Sequence, residues 1–211
     1  MIEGLSRVLV LAPHTDDGEF GCGGAMARLA EAGADVRQIA FSIASRSLPE
    51  GFAADTLVHE SAAASAALGL AAEALTVHDF EVRTFPEVRQ EILELLIAVQ
   101  REFEPEMVLM PTLGDIHQDH HTIAAEGLRA FKRTTILGYE IPWNQFRFAK
   151  QAYVVLEESH LDAKVAALEC YRSQQHRNYA NEEFIRNLAR THCIEIGRPY
   201  AECFEVVRWV A

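Results

Sequence analysis

The sequence predicts an α/β fold, a mostly parallel sheet with helices on both faces, and three observations predict it. Short apolar runs alternate with longer amphipathic or alanine-rich stretches, strand then helix then strand. Glycines close the first two of those stretches, at Gly33 and Gly69, where a residue without Cβ ends a helix in the left-handed region at little cost. Two polar clusters each follow an apolar run and precede a helix, and in open parallel sheets the carboxyl ends of the strands share one edge, where ligands bind.

The elements follow in order. Arg7 to Ala12 reads as a strand, and the loop Pro13-His14-Thr15-Asp16-Asp17-Gly18-Glu19-Phe20-Gly21-Cys22-Gly23-Gly24 leads to a helix from Gly24 to Ala32. Val36 to Ser42 is a second strand, so the first 42 residues hold a βαβ unit whose crossover implies parallel neighbours. A loop from Ser45 to Phe52 precedes an alanine-rich helix, Asp55 to Leu68, and a short strand, Ala74 to Val77. Phe85-Pro86 opens a long helix to about Phe103 with Val88, Ile92, Leu95, Leu96 and Val99 on one face. Met107 to Met110 is the next buried strand, and the second polar cluster, Gly114 to Thr122, runs into a helix from Ile123 to about Phe131. Strands at Thr135 to Glu140, Ala152 to Leu156 and Glu202 to Val207, with helices at Leu161 to Ser173 and Asn181 to Arg190, complete the chain and allow antiparallel edges. The whole reads as a Rossmann-like three-layer sandwich, and with no linker or charge block in 211 residues it reads as one domain, 1–211.

Composition sets the outer limits. Hydrophobic residues are 49% and charged residues 24% of the chain, as in an ordinary soluble globular protein. A formal net charge of −12 argues against nucleic acid as a partner, because binding a phosphate backbone needs Lys and Arg to replace counterions. It leaves room for a small anion held by one or two local arginines. Cys22, Cys170, Cys193 and Cys203 form no C-x-x-C pair, which speaks against a disulfide framework or a thiolate zinc site. No leader and no membrane span is visible, so no membrane insertion is expected and the cytoplasm is the default location. A homo-oligomer is compatible with all of this.

The chemistry lies in the two clusters. A catalytic zinc site takes about three ligands from His, Cys, Asp and Glu and keeps one position for water or substrate. His14, Asp17 and His120 supply imidazole, carboxylate and imidazole, which suits Zn²⁺ and would also accept Fe²⁺. Asp16 is then left to take a proton from activated water. His117 can face the substrate as an electrophile or acid, and Asp119 can hold an imidazole in the required tautomer through its second ring nitrogen.

Pro13-His14-Thr15-Asp16-Asp17 with Phe20-Gly21-Cys22-Gly23-Gly24, together with His117-Gln118-Asp119-His120, resembles the LmbE-like or PIG-L family of metal-dependent N-deacetylases, whose usual signatures are A/P-H-P-D-D-E and H-x-D-H. Tyr139 to Trp143, the Lys164 to Gln175 stretch and Gly197 to Phe204 also look like family stretches. The resemblance implies that His14, Asp17 and His120 hold the metal, that Asp16 is the general base, and that His117 stabilises the oxyanion or protonates the leaving amine. It implies hydrolysis of an amide, usually the N-acetyl group of an amino sugar, with a small N-acetylated molecule as partner. The chain departs from the pattern twice: Thr15 stands where proline is common, and Gly18 follows the Asp pair, with the acid, Glu19, one place later.

Plainer readings stand beside these. Asp17 alone suits a helix N-cap near Gly21. Spacing leaves His120 and His121 open, and only the H-x-D-H likeness selects His120. The glycine run lacks the G-x-G-x-x-G spacing after its strand, so close helix packing explains it better than a nucleotide does. Arg46, after the second strand, can hold a substrate hydroxyl or phosphate or be solvated; Tyr139, Trp143 and Asn144 can form a sugar-facing wall or pack. The alternatives to an amino-sugar deacetylase are a metal-dependent hydrolase of another N-acyl amine and a metal-free Rossmann-like binding module, against which the full ligand set argues.

Overall fold

The structure, a computed structural model, describes residues 4–210. One seven-stranded sheet runs through it in the order β3-β2-β1-β4-β5-β7-β6. The strands are β1 (Arg7–His14), β2 (Asp35–Ser42), β3 (Leu75–Val77), β4 (Met107–Pro111), β5 (Thr135–Tyr139), β6 (Ala152–Leu156) and β7 (Tyr200–Arg208). β1 lies between β2 and β4, parallel to both, with Leu9 opposite Arg37 on one side and Val108 on the other. β5 continues the parallel set. The expected antiparallel edge is present: β7 pairs antiparallel with β5 and with β6, and β6 is the edge strand.

Both faces of the sheet are covered because its central strands are apolar throughout, as parallel sheets require. Val8 and Val10 point to one face and pack with residues of α1 (Asp17–Glu31), α2 (Thr56–Ala67), α5 (Glu158–Glu169) and α6 (Glu182–Cys193). Leu9 and Leu11 point to the other and pack with residues of α3 (Arg89–Phe103) and α4 (Gln118–Ala130). The alternation is the two-residue period of a strand expressed as two separate cores.

Three helices begin earlier than their sequence suggests: α5, at Glu158 rather than Leu161, and two others whose differences bear on the site. α1 starts at Asp17 rather than Gly24, and α4 at Gln118 rather than Ile123. The glycines that read as loop are buried inside α1: a Cβ on Gly21 would lie 2.2 Å from the Tyr139 ring, and one on Gly24 2.5 Å from Leu156. α1 is broken at Cys22 (φ −149°, ψ 24°), which frees amide groups in the middle of the helix. Glu202 of β7 accepts from Gly24 N (3.0 Å) and Ala25 N (2.7 Å), while Lys164 Nζ of α5 donates to Phe20 O (2.7 Å) and to Glu202 (2.6 Å). Buried backbone groups left unpaired by the break would be costly, and this ion pair satisfies them.

Smaller differences have local causes. Pro86 sits in a short 3-10 turn, Phe85–Glu87, ahead of α3 rather than in it, and α5 ends at Glu169 before a second such turn, Arg172–Gln174. Among the described residues no helix is long and apolar enough to cross a membrane, and all four cysteines are free.

Candidate metal centre and active-site pocket

Three donors converge where β1 and β4 end. His14 closes β1, and one turn on, at the first residue of α1, the Asp17 carboxylate reaches back to accept from His14 N at 2.8 Å. Asp17 is therefore not a helix cap; Asp16 holds that position, without a side-chain cap bond. Asp17 Oδ2 lies 3.0 Å from His14 Nδ1 and 3.2 Å from His120 Nε2, and the two ring nitrogens are 3.4 Å apart. Ligands at about 2.0–2.1 Å from a tetrahedral ion stand about 3.3 Å from one another, so the donor triangle has the dimensions of a metal site.

Each imidazole is steadied from behind. Asp119 Oδ2 bonds His14 Nε2 (3.0 Å), and Asp115 Oδ2 bonds His120 Nδ1 (2.8 Å). Asp119 is itself gripped by Arg83 N (2.6 Å) and Phe85 N (3.3 Å), and Asp115 accepts from His117 N (2.8 Å). A carboxylate on the far nitrogen fixes tautomer and ring direction. Asp115, which lies in the second polar cluster, is thus part of the floor. Its signal was its position five residues before His120, set there by the turn entering α4.

His117 groups with His14 and His120, with ring nitrogens within 4.8 Å of one another, and these three imidazoles form a cluster that fits a metal ion. His117 is also the N-cap of α4: its Nδ1 accepts from Asp119 N at 3.2 Å. An imidazole that accepts at Nδ1 carries its proton on Nε2, so His117 presents a donor to the pocket. Of the neighbouring pair, His120 is buried and His121 is exposed.

Electrostatics follow from this crowding. For His120, burial works against charge, but the Asp17 carboxylate and the bond to Asp115 outweigh it and hold the pKa at about 10. Burial likewise opposes, and Asp17 and Asp119 more than restore, a raised pKa at His14. Asp17 is kept well below the usual range, its burial overcome by the His120 and His14 charges. Asp16 goes the other way: burial and the adjacent Asp17 charge raise it, with Arg177 pulling against them. His117 is lowered by burial and by its two imidazole neighbours.

A cavity of about 250 Å³ stands over this floor, reached by Asp16, His117, Trp143, Asn144, Gln174 and Arg177. Trp143 stacks on Tyr179 (3.7 Å between centroids, 11°) and meets Phe20 edge-on at 5.3 Å, making an aromatic wall. Tyr139 is not in that wall. It is fully buried, its hydroxyl donating to Leu11 O at 2.8 Å and its ring lying against Gly21, because β5 ends with this side chain turned under α1. Arg46 lies outside the cavity, exposed and paired with Glu81, in an adjoining groove. Glu19 is wholly buried beneath the loop, bonded to Gln38 and Tyr171, and burial pushes its pKa up to about 8. Gly18 has Gln38 against it, 3.1 Å from where a Cβ would stand, so the acid moved one place along meets that glutamine instead. Gln174 ends a family-like stretch whose role the sequence does not assign, and Arg177 and Tyr179 follow it in turns after α5 with no motif of their own.

Residues 9–131 match the family described as GlcNAc-PI de-N-acetylase, PIG-L. The uncharacterized deacetylase YaiS of Escherichia coli (strain K12) is 27% identical over 173 residues, 79% of this chain and 90% of that protein. Among solved structures, the conserved protein TT1542 from Thermus thermophilus is 26% identical with a TM-score of 0.79, over 98% of this chain and 96% of the other. The N,N'-diacetylchitobiose deacetylase of Pyrococcus horikoshii shares the fold at 18% identity and a TM-score of 0.78, over 98% of this chain and 85% of its own. The fold also carries other chemistry: the 4-carboxy-2-hydroxymuconate hydratase GalB of Pseudomonas putida KT2440 superposes with a TM-score of 0.76 at 22% identity, over 98% of each chain.

Proposed function

The chain belongs to the PIG-L family of GlcNAc-PI de-N-acetylases, and from that premise we propose that it hydrolyses the N-acetyl group of an amino-sugar substrate, free, nucleotide-linked or otherwise conjugated, with a divalent cation held by His14, Asp17 and His120. The observation that carries the reading is the donor triangle of 3.0, 3.2 and 3.4 Å, with a carboxylate behind each imidazole. Two nitrogens and one carboxylate oxygen suit Zn²⁺, with Fe²⁺ the alternative. Of the clustered imidazoles, His117 is the one whose cap bond leaves a proton on the ring nitrogen facing the cavity, so Asp17 is the better third ligand. Two deacetylases among the relatives, YaiS and the diacetylchitobiose enzyme, support the reaction class.

A cation bound there supplies Lewis acidity, acidifying water and polarising the acyl carbonyl. Asp16, buried beside the triangle with its carboxyl pKa raised by burial and by Asp17, accepts the proton of the attacking water. His117 Nε2–H faces the position where negative charge develops on the carbonyl oxygen, and a donor so placed is worth about 3 to 4 kcal/mol in the barrier. Asp119 and Asp115 hold His14 and His120 in their tautomers. The amide C–N bond breaks, water's oxygen stays with acetate, and the amine departs with a proton that His117 or the newly protonated Asp16 returns. Trp143 offers a ring face to the sugar at the cavity wall.

Incubating the zinc-loaded protein with N-acetylated sugars and sugar nucleotides, and assaying new primary amine, tests this directly. Asp16→Asn is expected to lower turnover at least ~10²-fold while metal content stays full. Near-native turnover in that variant removes Asp16 from the role of base. Lack of tightly bound metal together with no metal-restored hydrolysis favours a binding module, and release of other acyl groups but not of acetate from sugars favours a different N-acyl amine.

A further inference from the structure

Three of the four aspartates around the metal floor are held by other residues. Asp17, Asp119 and Asp115 each accept a backbone N–H, from His14, Arg83 and His117 in turn. Asp16 differs: it makes no side-chain cap bond at the head of α1, and its carboxylate takes a hydrogen bond from its own backbone N–H. The direction of that carboxylate is therefore set by the peptide joining Thr15 to Asp16. The N–H of Asp16 and the carbonyl of Thr15 belong to one rigid trans plane and point to opposite sides of it.

The carbonyl end of this plane is held from below. Tyr171, 2% exposed, donates its hydroxyl to Thr15 O at 2.6 Å, across 156 residues of chain. The same hydroxyl lies 3.1 Å from Oε1 of the wholly buried Glu19, whose carboxyl also meets Gln38 Nε2 of β2 at 3.2 Å. Two residues beyond Tyr171, Ser173 gives Glu60 of α2 its backbone N–H (2.9 Å) and its hydroxyl (2.6 Å). The turn that carries Tyr171 is thus clamped to a second helix, and the tyrosine is a fixed point. Thr15 has no ring to lock its φ, so the Thr15–Asp16 plane takes its orientation from this outside contact.

We propose that Tyr171 is a positioning residue for the hydrolysis: by donating to the Thr15 carbonyl it keeps the Asp16 N–H turned to the Asp16 carboxylate, and that carboxylate aimed into the cavity. The inference rests on the reading of Asp16 as base and adds what aims it. A donor on the carbonyl also polarises the peptide, which strengthens the bond at the far end of the plane.

Tyr171→Phe removes the donor and keeps the ring. With whichever N-acetylated sugar the zinc-loaded protein hydrolyses, kcat should fall at least ~10-fold, the scale on which small misplacements of a reacting group act. KM and zinc content should hold. In place of Tyr171, 4-aminophenylalanine offers one N–H to Thr15 O and a second to Glu19, and should restore most of kcat; a ring that only fills space would gain nothing from the amine. If the phenyl variant does not fold, 4-fluorophenylalanine, which fills the hydroxyl's volume with no proton to give, replaces it in the comparison. An unchanged kcat, a loss that follows loss of zinc, or no recovery with the amine overturns the assignment. If the unaltered protein releases amine from none of the sugars, the deacetylase reading is what has failed, and crystal structures of the two proteins then read the positioning alone. Asp16 displaced or spread over several positions in Tyr171→Phe, with His14, Asp17 and His120 in place, sustains it. An Asp16 carboxylate that superposes on the original overturns it.

Discussion

On the floor of the pocket every donor is tied from behind, whereas on the basic rim the guanidinium groups of Arg83 and Arg172 reach into open space. The floor is bonded in closed pairs: Asp119 to His14, Asp115 to His120, Asp17 between both imidazoles. Its parts come from two contiguous motifs at the ends of adjacent parallel strands, so geometry there is set by the sheet. The rim is drawn from loops after β2, β3 and α5, separated by more than a hundred residues, and is exposed at Arg46, Arg83 and Arg172. The difference is one of construction: the floor is held by paired side chains at the ends of strands, whereas the rim is carried on loops, the part of a scaffold that varies most freely.

The largest effect that could break this contrast is on the floor itself. His120→Ala, which removes one corner of the triangle, should abolish both tight metal binding and turnover, read by elemental analysis and amine release. Retention of a full metal equivalent would mean that His117 can take its place, and the division between ligand and donor would blur. Next in size is Asp119→Asn. Its partner His14 keeps its position but loses the carboxylate behind it, and such losses cost about 10- to 100-fold in metal affinity. A drop confined to KM, with metal affinity unchanged, would move Asp119 from floor to rim.

The pH dependence sharpens the same line. In the metal-free protein His120 holds a proton up to about 10, because the Asp17 charge and the Asp115 bond outweigh burial. A cation must displace that proton, so apparent metal affinity should rise between about pH 6.5 and 10, by up to about tenfold per unit for one proton released. The same raised pKa stabilises the metal-free fold fully below about pH 6.5 and is lost as pH climbs through about 10. Thermal unfolding of chelator-treated protein across that range should show a falling Tm, and metal-loaded protein should not. The smallest effect belongs to the wall: Trp143→Ala removes the ring stacked on Tyr179, and stacked aromatic pairs are worth about 0.5–1.5 kcal/mol. A few-fold rise in KM with kcat and metal content held is the expected result; a collapse of kcat would place this ring in the chemistry.

What could be read from the sequence follows the same divide. Strand ends carrying His14 and the Gly114–Thr122 cluster are local signals, so their meeting at one sheet edge follows from parallel topology alone. The helix starts were misplaced because Gly21 and Gly24 look like loop until the Tyr139 ring and Leu156 are seen against them. Of the two readings open for Tyr139, cavity wall or packing, the fold takes the second, because the missing Cβ of Gly21 opens the space that takes its ring. The insertion of β7 between β5 and β6 leaves no local trace, since an antiparallel strand that follows two helices can pair with any free edge. Arg172 and Gln174 fall in the Lys164 to Gln175 family stretch without a role that spacing assigns, and Arg83 and Arg177 carry no pattern until the turns are folded.

The interruption of α1 at Cys22 reaches further than its own helix. Because Glu202 and Lys164 hold the two halves of that helix in place, residues from the last quarter of the chain act as a setscrew on the first loop. Substitutions at Lys164 of α5 or Glu202 of β7 are therefore expected to disturb the segment of α1 that begins at Asp17, although both lie far from it in sequence.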